Sequence, residues 1–178
     1  MTTNHYDWAE AFHACYDKAV ELYRLGERQP SKCFDKRETS FLASIGHTPQ
    51  ELYDYAEDWV CDETPSFHTA LLIAAVRRDY FLVIQKGQLS THKMKMSDFP
   101  AKDAEMDGFR WLPRIILKAR AKLRGELPAD LMYGCGGDRA FLRSVNIHPA
   151  DFLRTVWSAR DDNRKIIGHV QQRHAAKA

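Results

Sequence analysis

The chain has 178 residues and a mass of 20.6 kDa, enough for one domain with a sizeable core. Hydrophobic residues at 44% and charged residues at 28% exclude wholesale disorder. The 26 Lys and Arg against 24 Asp and Glu leave a net charge of +2, too balanced to argue for a nucleic-acid partner.

Taken in chain order, the dominant period is helical. From His5 to Leu25 the apolar positions Trp8, Ala11, Phe12, Cys15, Ala19, Leu22 and Tyr23 recur every three or four residues, and Gly26 is a natural stop. Pro30 and Ser31 read as a loop. A short helix is expected to hold Phe41, Leu42 and Ile45 and to end at Gly46. Thr48-Pro49-Gln50-Glu51 is a start signal: Thr48 caps, Pro49 takes the first helical position, and Glu51 closes a capping box. That helix should run to about Cys61. Pro65-Ser66 opens the next, which continues through Tyr80 to about Gln85. Residues 87–108 form a long connection with little pattern.

The region from Trp111 to Leu127 is amphipathic, with Leu112, Ile115, Ile116, Ala119 and Leu123 on one stripe. A short helix holding Phe141, Leu142 and Val145 follows, then one opened by His148-Pro149 and a last one opened by Asp161-Asp162. No segment reads as a two-residue hairpin. The fold class expected is all-α, a helical bundle built from two similar four-helix halves.

The halves are linked by an internal repeat at an offset of 100 residues. Phe41-Leu42-Ala43-Ser44-Ile45 aligns with Phe141-Leu142-Arg143-Ser144-Val145, and Pro49-Gln50-Glu51-Leu52 with Pro149-Ala150-Asp151-Phe152. Lys18-Ala19 matches Lys118-Ala119, and Arg24 matches Arg124. The organisation expected is a single domain, 1–178, with repeats 5–86 and 109–176 joined by the connection 87–108. Residues present in both copies most economically serve packing or capping. Residues of one copy only are better functional candidates: Asp107-Gly108, Trp111-Leu112-Pro113-Arg114 and Tyr133-Gly134-Cys135-Gly136-Gly137-Asp138 all belong to the second half.

The glycine-rich loop offers a tight turn, a capping Asp138 and a helix N-terminus that favours an anion. The same field favours a thiolate, which makes Cys135 the candidate nucleophile. The helix before it is basic, with Arg110, Arg114, Lys118, Arg120, Lys122 and Arg124 and no acid from Phe109 to Gly125. Arg114 and Lys118 share a face. The plain alternative is internal pairing with the acidic stretch 51–63, which holds Glu51, Asp54, Glu57, Asp58, Asp62 and Glu63 and no Lys or Arg. Arg114, Lys118, Tyr133, Cys135, Gly136 and Asp138 are the candidate ligand-binding residues.

His13 and Asp17 lie one turn apart but lack nominated further ligands, so no metal site is assigned. No cofactor is assigned either. Cys15, Cys33, Cys61 and Cys135 lie far apart without a C-x-x-C pair and read as free thiols. No apolar run approaches the roughly 20 residues that span a bilayer, Ala70–Val76 being stopped by Arg77, Arg78 and Asp79. The N-terminus, from Met1 to Trp8, has no basic stretch followed by an apolar core. A cytoplasmic protein without membrane contact is expected.

The run from Pro100 to Val170 resembles the bacterial family of domain of unknown function 5069. The resemblance rests on Leu112-Pro113-Arg114, Lys118-Ala119-Arg120-Ala121, Gly125, Tyr133, Cys135, Asp138 and Phe141-Leu142. The first half looks like a diverged copy. Gly136-Gly137 departs from the family, where a Pro-containing stretch is expected. The resemblance implies a small bacterial helical protein and brings no activity with it. The residues themselves point to a second-half site that binds or transforms a small anionic ligand. The alternative is a non-catalytic interaction module or homodimer. Nucleic acid is disfavoured, because no aromatics interleave with the basic face.

Overall fold

The structure is a computed structural model that describes residues 5–176. Residues 1–4, the start of the segment read above for a signal, and 177–178 lie outside the described residues. Nine α-helices, one 3-10 turn and a two-stranded hairpin are found among the described residues, so the protein is all-α. No helix among them is long and apolar enough to cross a membrane. The chain divides into two compact units, Met1–Leu89 and Ser90–Ala178.

The first unit holds α1 (Trp8–Arg24), α2 (Pro30–Cys33), α3 (Lys36–Ser44), α4 (Pro49–Asp62) and α5 (Phe67–Val83). The stripe on α1 buries Phe12, Cys15, Ala19 and Tyr23, chiefly against α4, which buries Leu52, Tyr53, Tyr55 and Ala56. Helix α4 begins as its sequence dictates: Thr48 accepts from the Glu51 amide while Glu51 reaches back to the Thr48 amide. The Pro30 segment forms one helical turn, α2, because proline sits at its first position. Asp35 and Glu38 close a capping box on α3.

The second unit holds the 3-10 turn Met96–Asp98, strands β1 (Glu105–Met106) and β2 (Phe109–Arg110), and helices α6 (Leu112–Arg124), α7 (Gly136–Ser144), α8 (Pro149–Ala159) and α9 (Asn163–Ala175). Helix α6 packs on α8, and α8 on α9. Leu112, Ile115, Ala119, Phe152, Leu153, Ile166 and Val170 are its buried core.

The hairpin corrects the expectation that no segment forms a hairpin with a two-residue turn, and it gives the end of the connection 87–108 a structure that its little pattern did not announce. Glu105 pairs with Arg110 and Met106 with Phe109. Asp107 and Gly108 fill the turn with φ of 51° and 81°, the left-handed pair that a tight hairpin needs. Asp-Gly is itself a hairpin signal; strands of two residues are too short to show alternation.

Local geometry in each unit follows the offset of 100. Helices α3 and α7 occupy 36–44 and 136–144. Each ends with an amide bonding back five residues, His47 to the Leu42 carbonyl and Ile147 to Leu142, both at 2.9 Å. The residue at the turn is left-handed in both, Gly46 with φ 77° and Asn146 with φ 54°. The Ser44 and Ser144 hydroxyls both donate to the carbonyl three residues back. His148 caps α8 where Thr48 caps α4.

Candidate functional site

Helix α6 carries Lys118 on its buried face, and α7 begins at Cys135, which takes the N-cap place. Lys118 and Asp138 are both fully buried, and Lys118 Nζ donates to Asp138 Oδ2 at 2.5 Å. The same ammonium donates to Cys135 Sγ at 3.2 Å. Asp138 Oδ2 also accepts from the Gly134 amide at 2.8 Å, and Oδ1 accepts from Trp111 Nε1 at 2.9 Å. Each carboxylate oxygen thus has a donor, the condition for keeping a charge inside a protein. Cys135 is part-exposed and Gly136 exposed, so the thiol lies between a dry ion pair and solvent.

Asp138 does not cap α7. It sits at the third helical position and reaches back to the amide preceding the N-cap, while Cys135 makes no side-chain cap bond. Arg139, also buried, donates to the Gly134 carbonyl at 2.8 Å and so pins the loop from the other side.

Trp111 closes the site. It occupies the N-cap of α6 with φ 74°, an uncommon conformation for a bulky residue. Its amide donates to the Ala104 carbonyl across the base of the hairpin. Its indole lies on Gly137, where a Cβ would stand 2.4 Å from Cζ2. A side chain at Gly137 would occupy the space the indole fills. Sequence singled out Trp111 as a residue of one copy only, outside the six ligand-binding candidates, and did not single out Arg139. The Trp111 signal lay in its place directly after an Asp-Gly hairpin and in the glycine pair opposite.

Of the six nominated residues, the structure brings Lys118, Cys135 and Asp138 together, with Gly136 next to the thiol. Arg114 is buried and donates to the Pro100 carbonyl at 2.5 Å and to Met96 Sδ at 3.5 Å. The Tyr133 hydroxyl, also buried, donates to the Pro149 carbonyl at 2.8 Å. Further along the basic helix, Arg120 donates to the Arg160 carbonyl and Asn163, and Arg124 pairs with Glu126. These cations find partners within their own unit.

The four cysteines are free thiols with different surroundings. Burial, followed by the nearby Glu38 charge, pushes the Cys15 thiol up to about 11 from an ordinary 9.0. Burial also raises Cys33. Cys61 is exposed on the acidic end of α4, where the Tyr23 hydroxyl lies 3.4 Å from its sulfur. His13 and Asp17 are an exposed pair at 3.5 Å, with the His13 ring stacked on Phe67. Among the described residues no group of three His, Cys, Asp or Glu is placed to hold a metal. A separate cleft of about 380 Å³ lies at the α8 and α9 surface, lined by His148, Asp151, Arg154, His169 and Arg173 among others.

The second unit is thus a small all-α body with an ion pair in its interior and a thiol on the lip of it. Residues 99–178 match the family described as domain of unknown function 5069, a span that lies within that unit. No curated protein and no solved structure matches the chain.

Proposed function

We propose that the second unit carries a thiol-centred site for a small anionic ligand, with Cys135 as its reactive group. The observation that carries this reading is the 3.2 Å bond from the fully buried Lys118 ammonium to the sulfur of a part-exposed cysteine. A position of weak cap propensity reinforces it: the first unit places the good cap Asp35 where the second places Cys135. A residue that gives up a cap bond is expected where chemistry, rather than folding, sets the side chain. The Gly136 edge is open, and a Cβ there would meet only the Arg139 guanidinium, at 3.9 Å, so an anion approaching Sγ meets positive charge. Arg114 and Tyr133 serve this site by fixing the segments around it.

Two alkylating agents test the proposal, iodoacetamide as the neutral probe and iodoacetate as the anionic one. Peptide mapping reads the rate at each cysteine. Cys135 is expected to react faster than the more exposed Cys61, and to favour iodoacetate over iodoacetamide more than it does in the urea-unfolded chain. A Cys135 that stays unmodified until the protein unfolds, or that shows no preference for the anion, overturns the reading.

The alternative, an interaction module or homodimer, is favoured by Leu72, Val83 and Ile84, which are 43%, 54% and 50% exposed on and just after α5. Sedimentation equilibrium decides it, a monomer at all concentrations removing the homodimer. We read the two units as copies, 5–86 and 109–176, within one domain, on the strength of the matching helix ends. A reducing cytoplasm suits four free thiols.

A further inference from the structure

We propose that Cys135 and Lys118 form a reversible sulfur–nitrogen cross-link when the protein meets a peroxide, a modification site built from the pair rather than from the thiol alone. It uses the same cysteine as the proposed site but requires no ligand, so it stands or falls separately.

Three features of the pair carry it. The amine is already aimed at the sulfur at 3.2 Å, with no intervening group. It is completely buried, whereas Cys135 is a part-exposed residue at the start of α7, which gives an oxidant a way to the cysteine while the neighbouring nucleophile stays dry. Asp138 Oδ2, 2.5 Å from the same nitrogen, is positioned to take its proton. Among the described residues the other three thiols are placed differently: Lys18, near Cys15, is bonded to Glu38, Cys33 donates to the Gln29 carbonyl, and Cys61 faces a tyrosine hydroxyl.

The chemistry balances in two steps. The Cys135 sulfur attacks one peroxide oxygen, the O–O bond breaks, the thiol becomes a sulfenic acid, and one water leaves. Sulfur is oxidised and hydrogen peroxide is reduced. The Lys118 ammonium then gives a proton to Asp138, and its lone pair attacks sulfur. The S–OH bond breaks, and the hydroxyl leaves as water with a second proton from the nitrogen. One peroxide is consumed and two waters form. The product is a neutral sulfenamide beside a protonated Asp138, so the step replaces two buried charges with none, which the dry surroundings favour. A thiol reductant attacks the sulfur of the S–N bond, and a second thiol equivalent then restores Cys135 while the amine recovers its proton. The bond would protect Cys135 from the irreversible sulfinic and sulfonic stages and would tie α6 to the start of α7.

The test treats the full-length wild-type protein with hydrogen peroxide and maps its peptides by mass spectrometry. The expected product is a linked pair of peptides, one holding Lys118 and the other Cys135, short of two hydrogens relative to the unlinked pair and restored by dithiothreitol. Cys135→Ser should abolish it. Sulfinic or sulfonic acid at Cys135 with a free Lys118 peptide overturns the proposal, as does a linked pair that retains an oxygen, since the condensation step expels it. A Cys135 that alkylates rapidly yet never links sinks this inference and leaves the proposed thiol site standing. A Cys135 that links but shows no anion preference does the reverse.

Discussion

Replacing Lys118 by methionine tests the central contact, and the first unit supplies its control. The change leaves the Asp138 carboxylate fully buried with only the Gly134 amide and the Trp111 indole as donors. Removing one partner of a buried ion pair costs about 3–5 kcal/mol, most of it the uncompensated charge. Lys18 and Glu38 form the matching pair at 2.7 Å, but their side chains are 40% and 24% exposed. Exposed pairs are worth about 0–1 kcal/mol, so Lys18→Met should barely register. Urea unfolding followed by far-ultraviolet circular dichroism measures both, and the Lys118 loss corresponds to a midpoint shift of roughly 2 M. Adding Asp138→Asn to Lys118→Met removes the stranded charge yet keeps an oxygen for Trp111, so it should recover a large part of the loss. If Lys118→Met costs no more than Lys18→Met, the buried pair is not what holds α6 against the start of α7.

Gly137→Ala places a Cβ 2.4 Å from Trp111 Cζ2 and should cost about 1–3 kcal/mol by overpacking, with a change in Trp111 fluorescence as the indole leaves Asp138; unchanged stability and emission would refute the contact. Tyr16→Phe should be neutral or stabilise by up to about 1 kcal/mol, because the Tyr16 hydroxyl is buried without a hydrogen-bond partner, and burial pushes it up to about 12; a clear loss in thermal unfolding would show that the hydroxyl is bound. The bond from the Glu38 amide holds the Asp35 carboxyl below its ordinary 3.8, so its stabilising effect is present above that value and is lost as pH falls through the lower folded one. Asp35→Asn keeps a cap and removes the titration, so acid unfolding below about pH 4 should be shallower in the variant.

The helical plan was legible because the signals are local. Thr48-Pro49-Gln50-Glu51 names its own N-cap, first turn and capping box, and the offset of 100 ties the α3 and α7 ends together before any coordinate is known. The Lys118–Asp138 pair was half legible. Both residues were nominated, but as groups awaiting a ligand, since spacing does not say whether a basic face turns inward. Arg114 shows the same limit, its guanidinium being spent on the Pro100 carbonyl from the connection that showed no pattern. Trp111 was singled out as a residue of one copy, but its role was not legible for a different reason: its place depends on a left-handed backbone directly after the hairpin Glu105–Arg110, and bulky residues are ordinarily not expected there.

Matching positions of the two units carry one contact in two different surroundings. Lysine on the long helix meets an acid at the third position of the short helix in both, and in both that acid bonds a backbone amide at the start of the short helix. In the first unit Asp35 completes a capping box and the ion pair stays wet, so the arrangement does no more than start a helix. In the second, the tryptophan after the hairpin lies on Gly137 and the pair is sealed from water. A lower effective dielectric strengthens every remaining interaction of the ammonium, the one with sulfur included. Cysteine at the vacated cap position then meets that ammonium at 3.2 Å. The Lys118–Cys135 contact therefore depends on three local differences from the first unit, at positions 111, 135 and 137. Replacing Cys135 by aspartate, the residue at the matching place in the first unit, should supply a cap and abolish the proposed alkylation and cross-linking, because Asp is a good N-cap and carries no sulfur.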